Sequence, residues 1–267
     1  MNLGELKRQI VRVCHLLHQK DYVSAMDGNV SVRLPDGLIL ATRTMVHKGF
    51  VTEDDLVVVD MAGKKISGRG EPTSEMALHL AAYRRRPEVK AVVHAHPPMA
   101  VAFTIAGETL ARCVLPEVVL TLGEIHTVPY ATTGTLDLAE AVGSVLATYD
   151  AVMMDRHGAV CVGVDLIDAF GKLEKVEHTA MITHAARLLG NVKELPRDEI
   201  ERLHTLGAKY RTTNIPVPCQ GCSGCPNPVP WQGLPDFTMG RITAKPIRNL
   251  HSFQRDEAGI GGRAEGA

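Results

Sequence analysis

A chain of 267 residues with a formal net charge of -1, 45% apolar and 22% charged, has the composition of a folded protein able to close one large core. The near-neutral balance and the lack of a long basic run exclude the electrostatic footprint of a nucleic-acid binder, so a small-molecule partner is expected. Charges scattered through the amphipathic N-terminus leave neither a signal-peptide core nor a membrane span, so a cytoplasmic protein without membrane contact is expected.

"GELKRQIVRVCHLLHQK" predicts an opening helix, and "VSVRL" and "GLILAT" flank the turn Pro35-Asp36-Gly37 as a hairpin. "EPTSEMALHLAAYRRRP" predicts a helix capped by Thr73 or Ser74, with Glu75 in its first turn. Its three arginines complement the last turn as a solvated helix end, and Pro87 stops it. "VKAVVHAH" is a strand, "TLDLAEAVGSVLATY" a helix, and "AVMMDRHGAVCVG" two short strands around a turn. "DLIDAFGKLEKVEHTAMITHAARLLG" is a long helix ending at Gly190. Hairpins mixed with helices argue for a sheet that is not purely parallel, with helices on its faces.

This texture defines a first domain, 1–212. Seven of the fifteen prolines lie beyond it, and residues 213–267 read as an extension without a core of its own. Cys14, Cys113 and Cys161 stand isolated among apolar residues and read as structural thiols. Cys219, Cys222 and Cys225 instead form "CQGCSGC", a spacing that suits a second metal site or part of an iron-sulfur cluster, with His204 or another subunit as the source of a fourth ligand. A loop of reduced surface thiols fits the same residues.

Residues two apart in a strand share a face, so His94 and His96 project side by side. Imidazole suits zinc and related divalent ions, and a catalytic zinc takes three protein ligands. An isolated His-x-His pair is also compatible with a strand end and a solvent-facing ring. His157 is a third candidate, in a turn where Gly158 lets the backbone bend. Glu75 is either a carboxylate favoured by a helix start or a ligand or general base beside an ion. His79 is a rival ligand, ranked lower because its central place in the helix suggests packing.

The motifs "GNVSVR", "PTSE", "VVHAHPP", "PYATTGT" and "RHG", in this order, resemble the class II aldolase and adducin family over residues 3 to 212. Glu75 lies nineteen residues before His94, and His157 sixty-one after His96, as in the fuculose-phosphate aldolase pattern. The resemblance implies a three-layer α/β/α fold with a mixed, mostly antiparallel sheet and a ring-like homotetramer. It implies Zn2+, Mn2+ or Co2+ on His94, His96 and His157, with Glu75 as the acid/base. The implied reaction is aldol cleavage of a small phosphorylated ketose to dihydroxyacetone phosphate and an aldehyde. Glutamate at position 75 leans toward the aldolase branch, because the epimerase branch has aspartate there.

The family's phosphate loops are matched by Gly28-Asn29 and Thr73-Ser74, while the third, usually a Thr-Gly pair, reads Arg43-Thr44. Arg43 either binds phosphate or carboxylate or points outward. Leu115 stands where aldolases carry a tyrosine that handles the aldehyde, with Glu117 nearby, and a second family tyrosine is matched by Tyr210. Decarboxylation of a keto or hydroxy acid, dehydration of a sugar phosphate and a non-catalytic adducin-like module therefore stay open.

Overall fold

A computed structural model of the chain describes residues 2–209. The boundary at 212, Tyr210 and the cysteines at 219, 222 and 225 lie outside the described residues. Helix α1 (Leu3–Gln19) opens the chain and is capped by Asn2, whose side chain accepts from the Glu5 N–H. Strands β1 (Asn29–Arg33) and β2 (Ile39–Thr42) form the expected hairpin, with Gly37 at φ 83. A 3-10 turn (Glu53–Asp55) leads to β3 (Leu56–Val59) and β4 (Lys65–Gly68).

Next come α2 (Met76–Arg85), β5 (Ala91–Ala95), α3 (Pro98–Ile105), α4 (Pro116–Thr121) and β6 (His126–Val128). Helix α5 (Leu136–Leu146), strands β7 (Ala151–Met154) and β8 (Gly158–Gly163), and helices α6 (Leu166–Leu189) and α7 (Arg197–Gly207) follow.

The eight strands form one sheet in the order β4-β3-β2-β1-β5-β8-β7-β6. Every pairing is antiparallel except β6 with β7, so the sheet is mixed and mostly antiparallel. Strand alternation divides the core between its two faces. Val30, Val32, Val93 and Cys161 pack with Ile10 and Val13 of α1, Phe103 of α3 and Leu173 of α6. On the other face Ala41, Val92, Val160 and Val162 pack with Leu78 of α2 and Leu138 and Val142 of α5. Helix, sheet and helix make the three layers of an α/β/α sandwich. Cys14, Cys113 and Cys161 are buried thiols, and burial pushes Cys14 up to about 12. Among the described residues no helix is long and apolar enough to cross a membrane.

Two local expectations are corrected. Helix α2 begins at Met76, so Glu75 is its N-cap residue rather than part of its first turn. The arginine run is a solvated end only in part: Arg84 and Arg85 are exposed, but Arg86, the C-cap residue, is 1% exposed. Its Nη1 lies 2.6 Å from Asp150 Oδ1 and its Nε 2.8 Å from Glu88 Oε1. Lys172 Nζ closes the buried cluster at 2.8 Å from both Asp150 and Asp168.

Candidate metal centre

His94 sits on β5 and His96 just beyond it, where the His96 N–H donates to the Tyr22 carbonyl at 2.7 Å. Pairing of β5 with β8 sets His94 opposite Val160 and Ala95 opposite Ala159, which carries the turn between β7 and β8 alongside. His157 lies in that turn. The bend falls on Arg156, at φ 57, and not on Gly158 as the sequence suggests. Gly158 serves a different need, because a β-carbon there would stand 2.4 Å from the Ala95 carbonyl oxygen and 2.6 Å from His96 Cδ2.

The three imidazoles face one another, with ring centroids 4.9 to 5.0 Å apart and one ligating nitrogen from each within 4.8 Å of the others. His94 Nδ1 donates to the Ala159 carbonyl at 2.9 Å, a bond that fixes the ring and aims Nε2 into the cup. That nitrogen is 3.1 Å from His96 Nε2. Glu75 closes the cup, with Oε2 3.1 Å from His94 Nε2 and Oε1 3.3 Å from His157 Nε2. Glu75 Oε1 and His157 Nδ1 are nonetheless buried without a hydrogen-bond partner. Converging nitrogens and a buried carboxylate oxygen with no donor fit a divalent cation.

Burial raises the Glu75 carboxyl, but the charge and hydrogen bond of His94 and the hydrogen bond from Asn29 outweigh it and hold the group well below the usual range. Burial, reinforced by the positive charges of His94 and His157, lowers His96 to about 3. Burial and His94 lower His157 to about 4. Burial also lowers His94, yet the charge and hydrogen bond of Glu75 leave it raised on balance. Neutral His96 and His157 present the form that ligates an ion.

His79 is fully buried and turned away from this cup: its Nε2 meets Asn29 Oδ1 at 2.5 Å and its Nδ1 meets Ser31 Oγ at 2.6 Å. Sequence reasoning missed this network, since its members lie about fifty residues apart.

The three loops matched to phosphate binding converge. The Arg43–Pro72 bridge and the Thr44 N–H to Glu71 carbonyl bond, at 2.9 Å, join the loop after β2 to the segment that leads into Thr73 and Ser74. The Glu75 N–H donates to Thr73 Oγ1 at 3.3 Å, and Asn29 Nδ2 donates to Glu75 Oε2 at 2.9 Å. Gly28, at φ 70, is pressed against β5, where a β-carbon would stand 2.9 Å from the His94 carbonyl oxygen. Buried Lys48, unremarked in the sequence, ties two of the loops by donating to the carbonyls of Met26 (3.2 Å) and Val46 (2.8 Å).

Arg43 neither points outward nor is free, because its guanidinium lies 2.8 Å from Asp55 Oδ1. Met45, at φ 55, adopts the backbone conformation that a glycine favours, so Thr44-Met45 is the better counterpart of the family's Thr-Gly pair. Leu115 packs against the core beside α4, and Glu117 is exposed.

Comparison with known proteins follows the same outline. The family described as "Class II Aldolase and Adducin N-terminal domain" matches residues 8–184. An L-fuculose phosphate aldolase of Methanococcus vannielii is 40% identical over 177 residues, 66% of this chain and 94% of that protein. A 3-oxo-tetronate 4-phosphate decarboxylase of Escherichia coli K12 is 31% identical over 206 residues, 75% of this chain and 95% of that protein. The solved structure of an L-fuculose 1-phosphate aldolase superposes with a TM-score of 0.72 at 27% identity, covering 79% of this chain and 98% of its own.

Proposed function

The chain belongs to the class II aldolase and adducin family, and from that premise we propose that it cleaves a small phosphorylated ketose to dihydroxyacetone phosphate and an aldehyde. The observation that carries this reading is the placement of Glu75, an ionised carboxylate closing a cup of three imidazoles. His94, His96 and His157 would hold zinc, or manganese or cobalt. When bound there, a divalent ion would supply Lewis acidity, polarising a carbonyl oxygen so that the electrons of the adjacent carbon–carbon bond are released more easily.

The protein's own groups supply the rest. Glu75 moves the proton, and Oε1 is the oxygen with capacity to accept it. Backbone N–H groups of the loops at Gly28-Asn29, Thr44-Met45 and Thr73-Ser74 would receive the phosphate, the Thr44 N–H excepted because it donates to the Glu71 carbonyl. Arg43, paired with Asp55, would brace its loop rather than meet substrate. A homotetramer in the cytoplasm belongs to the same reading, with light scattering as the test of assembly.

The Escherichia coli relative favours a second reading, decarboxylation of a phosphorylated keto acid. Arg43 was the residue available to bind a carboxylate, and its engagement by Asp55 tells against that route. A panel of 1-phosphoketoses and phosphorylated keto acids decides between them. Release of dihydroxyacetone phosphate supports the aldolase; carbon dioxide from a keto acid, with no ketose cleaved, replaces it with the decarboxylase.

A further inference from the structure

We propose that His79 is a positioning residue for Glu75, acting through the side-chain amide of Asn29. The inference rests on the reading of Glu75 as the acid/base. Five side chains form one line between α2 and β1: Tyr83 and His79 of α2, Ser31 and Asn29 of β1, and the N-cap residue Glu75. Tyr83 Oη is 2.8 Å from Ser31 Oγ, which is 2.6 Å from His79 Nδ1. His79 Nε2 is 2.5 Å from Asn29 Oδ1, and Asn29 Nδ2 is 2.9 Å from Glu75 Oε2. All five are buried, with His79 and Ser31 at 0% exposure.

The direction of every bond follows from the last one. An ionised carboxylate only accepts, so the amide must turn Nδ2 toward Glu75. Its Oδ1 then faces His79 and needs a donor, which places the ring proton on Nε2. Burial keeps the ring neutral, so Nδ1 is an acceptor and takes the Ser31 hydroxyl proton. Ser31 Oγ in turn accepts from Tyr83. The opposite tautomer would set Nε2 and Oδ1, two acceptors, against each other at 2.5 Å in the protein interior.

The consequence is an asymmetric carboxylate. Glu75 Oε2 is held by a donor that cannot rotate, while Oε1 has no hydrogen bond. The line orients and does not conduct, because an amide cannot pass a proton as an imidazole or hydroxyl does. His79 thus selects which oxygen of Glu75 meets substrate without touching it.

Long-range proton–nitrogen correlation on the zinc-loaded full chain, with labelled histidines and H79Q to assign the signal, reads the tautomer. The expected result is a neutral His79 protonated at Nε2; protonation at Nδ1, or an imidazolium, overturns the proposal whatever the substrate proves to be. With a phosphoketose that is turned over, H79L lowers kcat roughly 10- to 100-fold with KM little changed. H79Q, whose amide can donate to Asn29, recovers much of the loss, and S31A, the milder change, costs less than H79L. Unchanged kcat in both H79L and S31A, or equal loss in H79L and H79Q at matched thermal stability, also overturns it. Failure of every phosphoketose counts against the aldolase reading and leaves the tautomer to decide this one.

Discussion

Gly158 and His96 are packed so closely that a methyl group on the glycine would lie 2.6 Å from the ring carbon Cδ2. The Ala95 carbonyl blocks the alternative at 2.4 Å. Gly158→Ala should therefore displace the ring or part the two strands, costing about 1–3 kcal/mol and lowering zinc affinity at least ~10-fold. Elemental analysis and urea unfolding check both effects. A variant of full metal content and unchanged stability contradicts the packing described.

Glu75→Gln keeps the shape of the side chain and removes the base. Zinc should remain on the three histidines while kcat falls by about 100- to 10,000-fold. His94→Ala should instead lose the metal itself. Parallel metal analysis and steady-state kinetics separate the two, and a zinc-free Glu75→Gln variant would mean that the carboxylate is chiefly a ligand.

Asp150 sits between Arg86 and Lys172, both almost wholly buried. Asp150→Ala leaves two cations with a lost partner, and unfolding should become easier by roughly 3–5 kcal/mol. Denaturant titration measures this. A loss below about 1 kcal/mol would place the cluster among exposed ion pairs in its energetic weight.

In metal-free protein, acid should weaken the fold well before ordinary carboxylates titrate. Burial first, then the charge of His94, lowers His79 from 6.5 to about 3, with Glu75 opposing. Between those values the unfolded chain binds a proton that the folded chain refuses, so stability rises with pH across the window. The contribution is complete above about 6.5 and is lost as pH falls toward 3, on the order of 5 kcal/mol in all. Urea midpoints of chelator-treated protein should drop from pH 7 to pH 5. His96 and His157, lowered to about 3 and about 4, act in the same direction and His94 opposes them, so His79→Gln isolates the share of His79. A pH profile unchanged by that substitution would mean that the histidine is charged or solvated.

Much of this arrangement is legible in local sequence. The Pro35-Asp36-Gly37 turn, the valine-rich strand before His94 and the Asp165-capped helix announce themselves by turn chemistry, strand parity and periodicity. Strand parity also put His94 and His96 on one side. Elements with weak patterns, such as β4 and β6, escape because four exposed or three mixed residues carry no periodic signature. Arg86 was misread because three successive arginines look alike in sequence, while only one points at Asp150, sixty-four residues away. Asn29 suggests a phosphate contact by motif, yet both ends of its amide are engaged inside the protein. Such partners are set by which strands become neighbours, a property no local window contains.

The registry of β5 against β8 has a kinetic meaning as well. His94 and His96 are in place as soon as one strand forms, but His157 arrives only when a segment some sixty residues later docks beside it. Contacts of that sequence separation form slowly in a folding chain. The cup is therefore a late product of folding, and acquisition of an ion by a refolding chain should time the closure of the sheet's centre.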